Sequence, residues 1–244
     1  YAGAPDGPPA HPGVQVADIG GGSLFALVSI LAALHERDRT GRGRWLDVSM
    51  TDGALAFTHL QLGARLVMGE EGVPLRRGAE PLNGGYPCYG LYRTADGRFL
   101  AVGALEPKFW IGVCELLGRP DLAGAGWDTG EEGRAARAAV GEIIARHPAE
   151  EWRRRFAAAD LCVEVVNEGD DVLEDPQLRA RGMFLEADDP QRGWSSVRQV
   201  RTPVRMGEVP LRPPPALGQH TWEILGEAGF SEEEIRSLTS GTTP

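Results

Sequence analysis

The sequence lacks most of the features that mark whole classes of protein. Cysteine occurs only as Cys88, Cys114 and Cys162. That is an odd number with no C-x-x-C pair, which argues against a disulfide framework or a zinc site. The expectation is buried free thiols in a reducing, cytoplasmic setting. The five histidines, His11, His35, His59, His147 and His220, show no H-E-x-x-H or other metal-ligand spacing. Positive charge is also short: 25 Lys and Arg against 35 Asp and Glu leave a net charge of −10. This argues against general binding to nucleic acid or to an anionic membrane, while a local basic pocket for a polyanionic small ligand stays possible. The longest apolar run, Leu24 to Leu34, contains Ser29 and is too short to span a bilayer. There is no internal repeat. The opening "YAGAPDGPP" has neither an initiator Met nor the layout of a secretory signal, so the start reads as a cut.

What is present describes an ordinary globular chain. Its 244 residues are 42% hydrophobic and 25% charged, enough for one large domain or two small ones with ample core. Residues 1–17 are rich in Pro and Gly and read as loop. From about Gly21 to Arg37 the sequence is helix-forming and apolar on most faces, which predicts a buried helix. "TGRG" reads as a turn, "RWLDVSM" as a strand, and "DGALAFTHLQLGARLVM" as a helix with Asp52 near its start. Helix, strand and helix in that order suggest the closing part of an α/β layer.

Residues 69–87 hold five glycines and three prolines and read as a linker at a domain boundary. Beyond it, "CYGLYRTADGRFLAVGAL" predicts a hairpin turned at Asp96-Gly97. "EPKFWIGVCELLG" predicts a helix with Pro107 in its first position and Glu106 at the N-cap. Thr129 and Glu132 stand at capping-box spacing before a further helix, Pro148 opens another, and "LCVEVV" reads as a strand. After Pro190 the chain loosens into a Pro-rich return segment, then closes with helices at "HTWEILGEAG" and "SEEEIRSL". Ser231 and Glu234 have capping-box spacing in the last of these. The expected division is 1–68, a linker at 69–87, a small α+β domain at 88–195, a return linker at 196–216, and a terminal helical part at 217–244.

Two acids stand out. Asp18 precedes Gly20, Gly21 and Gly22 and the apolar helix. Glycines let backbone come close to a ligand and present N–H groups, and a helix start favours an anion. Asp18 is therefore either a plain helix cap or a reacting carboxylate beside donors for a developing oxyanion. The glycines match neither the G-x-G-x-x-G fingerprint nor a P-loop. Glu106 lies between "AVGAL" and "PKFW", apolar surroundings in which a carboxyl pKa can shift, and Glu is a weaker cap than Asp, Ser or Thr. Arg37, Arg39, Arg42 and Arg44 could meet a phosphate but read more simply as solvated turn residues, and Arg76 and Arg77 as surface. Phe109, Trp110, Trp152 and Phe156 read as core.

Taken together, "ADIGGGSLFALVSILAALHERDRTGRGRWLDVSMTDG", "NGGYPCYGLYRTADGRFLAVGALEPKFW", "DPQLRARGMF" and "PPPALGQHTWEILGEAGFSEEEIRSL" resemble the family III CoA-transferases, or CaiB/BaiF superfamily. That superfamily includes the α-methylacyl-CoA racemases. The motifs run in family order along nearly the whole chain and cover the C-terminal majority of a typical member. The resemblance implies an α/β fold, with part of a Rossmann-like large domain and a small α+β domain joined by two linkers, in an interlocked homodimer. It implies an acyl-CoA substrate, no metal, and no cofactor beyond the coenzyme A that the substrate carries. Asp18 corresponds to the family's catalytic acid, with Gly20, Gly21 and Gly22 beside it as substrate and oxyanion-binding residues. Glu106 in "GALEPKF" matches the racemase glutamate that supports a histidine on the opposite side of the substrate carbon. No histidine here matches that motif, His11 in "AHPG" included. Formyl-type transferases carry a longer glycine run where "NGGYP" stands, which favours racemase-like chemistry.

Three functions follow from the resemblance. The first is epimerisation of a 2-methylacyl-CoA, part of acyl-CoA lipid metabolism, by α-proton transfer through an enolate. The second is CoA transfer between carboxylic acids, with Asp18 as nucleophile. The third is a non-catalytic chain that pairs with a separate N-terminal chain. Neither nucleic acid nor a membrane is expected as a partner. The helix at 21–37, without the rest of a large domain, is expected to expose a wide apolar face and to require a partner.

Overall fold

The computed structural model describes residues 2–69, 76–189, 194–207 and 214–240. Helix begins earlier than the apolar pattern predicts. The chain winds into a wide π-type helix over Val16–Leu24 and runs directly into α1, Phe25–Thr40. Gly20–Gly22, placed by the sequence pattern in a turn before the helix, lie inside it. The cause is a crossing at backbone contact with α2, Met50–Ala56. A Cβ on Gly53 would stand 2.0 Å from the Gly21 carbonyl oxygen, and one on Gly21 would stand 2.8 Å from the Ala54 nitrogen. Only glycine allows such an approach. Helical geometry then keeps the peptide groups satisfied within the segment. At its far end α1 stops at Gly41, whose φ of +70° suits a left-handed cap and whose N–H donates to Arg37 O at 2.7 Å.

The continuous helix Val16–Thr40 has 25 residues and a mean hydropathy of 1.8 over its most apolar stretch. By length and composition alone it could cross a membrane; the wide opening turn adds the length that the Leu24–Leu34 run lacks. The apolar pattern alone predicted a buried helix; the expectation of a wide exposed apolar face is the one met, with Leu27, Val28 and Leu31 47%, 63% and 58% exposed, because nothing among the described residues covers that face.

"RWLDVSM" forms no strand, since a strand needs a neighbouring edge and the described residues supply none there. Ser49 caps α2 instead, its hydroxyl accepting from Asp52 N at 3.3 Å. The single helix predicted after it is broken at Phe57–Thr58, where the Thr58 N–H and hydroxyl both donate to Leu55 O, at 2.9 and 2.7 Å. A separate helix, α3, follows over His59–Met68.

The core lies in the α+β stretch. Strands β1, Tyr89–Arg93, and β2, Phe99–Gly103, pair antiparallel around Asp96-Gly97, and β3, Val163–Val165, adds antiparallel to β2. Helices α4, Pro107–Leu116, α5, Glu131–Ile144, and α6, Ala149–Phe156, bury Trp110, Val140, Ile144 and Trp152 against the sheet. Burying two indoles requires acceptors for their N–H groups. Trp152 Nε1 donates to Ile144 O at 2.8 Å and Trp110 Nε1 to Leu122 O at 3.3 Å.

The capping box predicted at Thr129 and Glu132 is absent. Asp128 takes that role, its carboxylate accepting from Gly130 N at 2.9 Å and Gly133 N at 2.7 Å. The supposed linker is largely folded over 76–87. Glu80 and Asn83 cap a short turn at Pro81–Asn83, Glu80 is buried, and Pro87 enters the core. Residues 70–75 of that linker lie outside the described residues.

The chain divides into two compact units after Val166, rather than within 69–87. The second unit holds α7, Asp171–Glu174, α8, Pro176–Ala180, a hairpin of β4, Phe184–Asp189, and β5, Trp194–Val200, and helices α9, Thr221–Glu227, and α10, Glu232–Thr239. The hairpin occupies part of the stretch read from sequence as loosened chain. The Ser231–Glu234 capping box forms as predicted. Residues 208–213 of the Pro-rich return segment lie outside the described residues. Every strand pairing among the described residues is antiparallel.

Candidate active site

Asp18 lies in the first turn of the helix that starts at Val16. Its side chain is exposed and has no ion-pair or hydrogen-bond partner among the described residues. Its own carbonyl accepts from Ser23 Oγ at 3.0 Å. A carboxylate at this position faces the positive end of the helix dipole. The N–H groups of Ala17 and Asp18 have no acceptor among the described residues, as expected for an opening turn.

The three glycines serve packing. Gly20 faces the Phe57 ring, where a Cβ would come to 2.8 Å; Gly21 faces the α2 backbone; Gly22 faces Met50, at 2.9 Å. Their N–H groups sit in the interior of a helix, whose hydrogen-bond ladder uses them. The expected display of Gly20–Gly22 N–H groups to a ligand therefore gives way to a close helix crossing. The free donors lie one turn earlier.

Glu106 takes the N-cap position of α4 as predicted, but its side chain makes no capping bond. Its carbonyl accepts from Phe109 N at 2.9 Å and Trp110 N at 3.3 Å. The carboxylate is exposed, contrary to the apolar setting expected from its neighbours in sequence. Ala104 and Trp110 turn inward on either side, and Trp127 Nε1 holds the Leu105 carbonyl at 2.9 Å, so the chain points outward at 106.

The structure does not bring the two acids together. Asp18 belongs to a group in which the opening helical turn packs on α1 and α2. Glu106 belongs to the group of β1–β3 and α4–α6, and the two groups share no extensive contact among the described residues. Cavities of about 350 and 1010 Å³ in the same unit are lined by neither acid.

Other groups separate cleanly. Burial pushes the thiols of Cys88 and Cys114 up to about 11, which leaves them unreactive. Cys162, also expected to be buried, is exposed. No cluster of three or more His, Cys, Asp or Glu side chains among the described residues could hold a metal. Arg37 and Arg44 are neutralised by Asp38 and Glu36 at the surface, in keeping with solvated turn residues. Sequence reading missed Arg134 and Arg137, three residues apart on α5, which share a cavity with Arg76 and Arg77. Their helical spacing was visible in sequence; their meeting with a segment more than fifty residues away was not.

The chain matches the family model described as CoA-transferase family III over residues 1–221. It belongs to that family. This family III chain is 36% identical over 232 residues to mouse alpha-methylacyl-CoA racemase, covering 92% of itself and 58% of that protein. It is 31% identical over 267 residues to formyl-CoA:oxalate CoA-transferase of Rhodopseudomonas palustris strain BisA53, covering 96% and 60%. A solved CAIB/BAIF family protein from Brucella suis has a similar fold, with a TM-score of 0.71 at 26% identity, covering 93% of this chain and 58% of that one. The chain thus spans less than two thirds of the length of each. Racemases and CoA-transferases stand at comparable identity, so the family is enzymatic and its fold is the family III CoA-transferase fold.

Proposed function

We propose that this chain forms part of an acyl-CoA enzyme, a 2-methylacyl-CoA racemase that works by α-proton transfer through an enolate. One observation carries the reading: Asp18, at the position of the family's catalytic acid, is an exposed, unpaired carboxylate at a helix start. Glu106 in the racemase-like "GALEPKF" and the similarity to mouse alpha-methylacyl-CoA racemase support it further.

A thioester acidifies its α-hydrogen weakly, and removing that proton places negative charge on the thioester oxygen. Asp18 is the base for one face of the carbon. The unclaimed N–H groups of Ala17 and Asp18 are the nearest donors for the charge. Inversion also requires a proton donor on the opposite face, and Glu106 supports that group. Coenzyme A enters as part of the substrate, no further cofactor takes part, and the setting is cytoplasmic.

The active form is an assembly. Leu24, Phe25, Leu55 and Phe57 are 53%, 41%, 57% and 53% exposed on the elements around Asp18. An apolar surface of this kind is normally covered. A second copy in an interlocked homodimer, or a chain carrying the remaining family length, covers it here.

The test is exchange of the substrate α-hydrogen with deuterated water by the complete enzyme. Asp18→Asn is expected to slow exchange by about 10²–10⁴-fold; undiminished exchange removes Asp18 from the mechanism. The transferase reading is supported by the same exposed carboxylate and by the transferases among the relatives. It predicts hydroxylamine-trapped modification of the Asp18 peptide during turnover, which simple proton transfer does not produce. A complete assembly that shows neither behaviour supports the non-catalytic reading.

A further inference from the structure

A cluster of positive charge in this acidic chain is unused by the chemistry above. A cavity of about 1010 Å³ lies between the segment at 76–85, the opening arm of the chain and the first turns of α5. Four guanidinium groups line it, Arg76, Arg77, Arg134 and Arg137, against one carboxylate, Asp6. None of the four arginines has an ion-pair partner among the described residues. Several arginines outside the cavity are neutralised locally, as Arg119 is by Asp121, Arg155 by Glu151 and Arg198 by Glu186.

The four play two parts. Arg137 holds the wall in place, its Nη2 donating to the carbonyls of Gly84 and Tyr86, with its guanidinium 5.5 Å from the Tyr92 ring centre. Arg77 fastens the opening arm through Nη2 to Gly7 O at 2.7 Å, while its Nε is buried with no acceptor. A buried guanidinium N–H without a partner is costly and marks a place where an acceptor is missing. Arg76 and Arg134 are exposed and little restrained: Arg134 has one weak bond, to Thr129 O at 3.5 Å, and Arg76 has none among the described residues.

We propose that this cavity binds a small molecule carrying two or more phosphate charges. Guanidinium forks match phosphate oxygens in pairs, and several of them around one pocket favour a ligand of high charge over a single carboxylate. The cavity volume stands at the upper end for small-molecule sites and suits a ligand of nucleotide size. Against a net charge of −10 for the chain as a whole, the local reversal of sign makes the cavity more selective for such an anion. The inference rests on the cavity alone and not on the acyl-CoA reading. The phosphates could be those of coenzyme A or of a separate phosphorylated compound.

The experiment is calorimetric titration of the complete protein with inorganic pyrophosphate, coenzyme A and succinate. It compares wild type, the double variant Arg76→Gln/Arg134→Gln and the control Arg154→Gln, an exposed position on α6 outside the cavity. Pyrophosphate is expected to bind at least tenfold more tightly than succinate, to weaken about tenfold or more in the double variant, and to be unchanged in the control. Binding is expected to fall as salt rises. Coenzyme A that displaces pyrophosphate and loses affinity in the double variant identifies its nucleotide end as the ligand. Coenzyme A that binds all three proteins alike without displacing pyrophosphate identifies a separate phosphorylated compound. If coenzyme A does not bind while pyrophosphate keeps its arginine dependence, the acyl-CoA reading fails and the cavity assignment stands. Absence of pyrophosphate binding, or equal binding by wild type and double variant, overturns the proposal.

Discussion

Replacing Gly53 by alanine tests the contact that places Asp18. The added Cβ would lie 2.0 Å from Gly21 O and 2.4 Å from Gly21 Cα, whereas real Cβ atoms essentially never come closer than 3.0 Å. The two backbones must therefore part by about 1 Å, and no side-chain rotation can relieve them. Overpacking of this kind costs about 1–3 kcal/mol, and a backbone-to-backbone clash belongs at the upper end of that range. Alanine in place of glycine returns about 1 kcal/mol of helix propensity, leaving a net loss of about 2 kcal/mol. Gly63→Ala on α3 is the matched control. Its new methyl would meet only the His59 ring, at 3.8 Å or more, so the same substitution should stabilise by about 1 kcal/mol. Urea unfolding followed by circular dichroism, with amide exchange read over residues 16–24, measures both. Gly53→Ala should unfold at lower urea and lose protection around Asp18, and Gly63→Ala should do the opposite. If Gly53→Ala is as stable as wild type, or follows Gly63→Ala, the close crossing is wrong, and with it the account of the three glycines.

Trp152→Ala, which removes a fully buried indole and the shorter of two hydrogen bonds to the Ile144 carbonyl, should cost about 3–5 kcal/mol and lower the thermal midpoint. At pH 8 one thiol per native chain, that of Cys162, should react with a disulfide reagent and three after denaturation; labelling of Cys88 or Cys114 in the native state would contradict their burial. The N–H groups of Gly130 and Gly133 hold the Asp128 carboxyl below its ordinary range. A depressed folded-state pKa adds stability that is present above the unfolded value, near 4, and is lost as pH falls through the folded value. Asp128→Asn should therefore flatten the acid limb of a stability–pH curve below about pH 4, and an unchanged acid limb would refute the capping role.

Signals confined to a few neighbouring residues were legible in the sequence. Asp96-Gly97 between two apolar runs specifies its hairpin because the turn geometry is set by those two residues. Pro107 opens α4, and Ser231 with Glu234 opens α10, because a cap reaches only three residues. Asp18 and Glu106 were legible as candidates for a related reason, since each stands in a short motif of its family. Nothing in those motifs could tell that both carboxylates are exposed and lie in separate packed groups.

Tertiary structure decided what depends on distant partners. "RWLDVSM" has the composition of a strand, yet with no edge to pair with among the described residues it stays irregular. Asp128 displaces Thr129 as the cap of α5 because its carboxylate reaches two N–H groups once Gly130 and Gly133 have turned toward it. The glycines beside Asp18 can serve either a ligand or a helix crossing, and only the presence of Gly53 opposite Gly21 chooses between them. In the same way Arg76 and Arg77 are ordinary surface residues until α5 brings Arg134 and Arg137 to the same cavity. Backbone preference acts over one turn of chain and can be read in order. Close approach and the pooling of charge are properties of pairs of segments, and they exist only once the chain has folded.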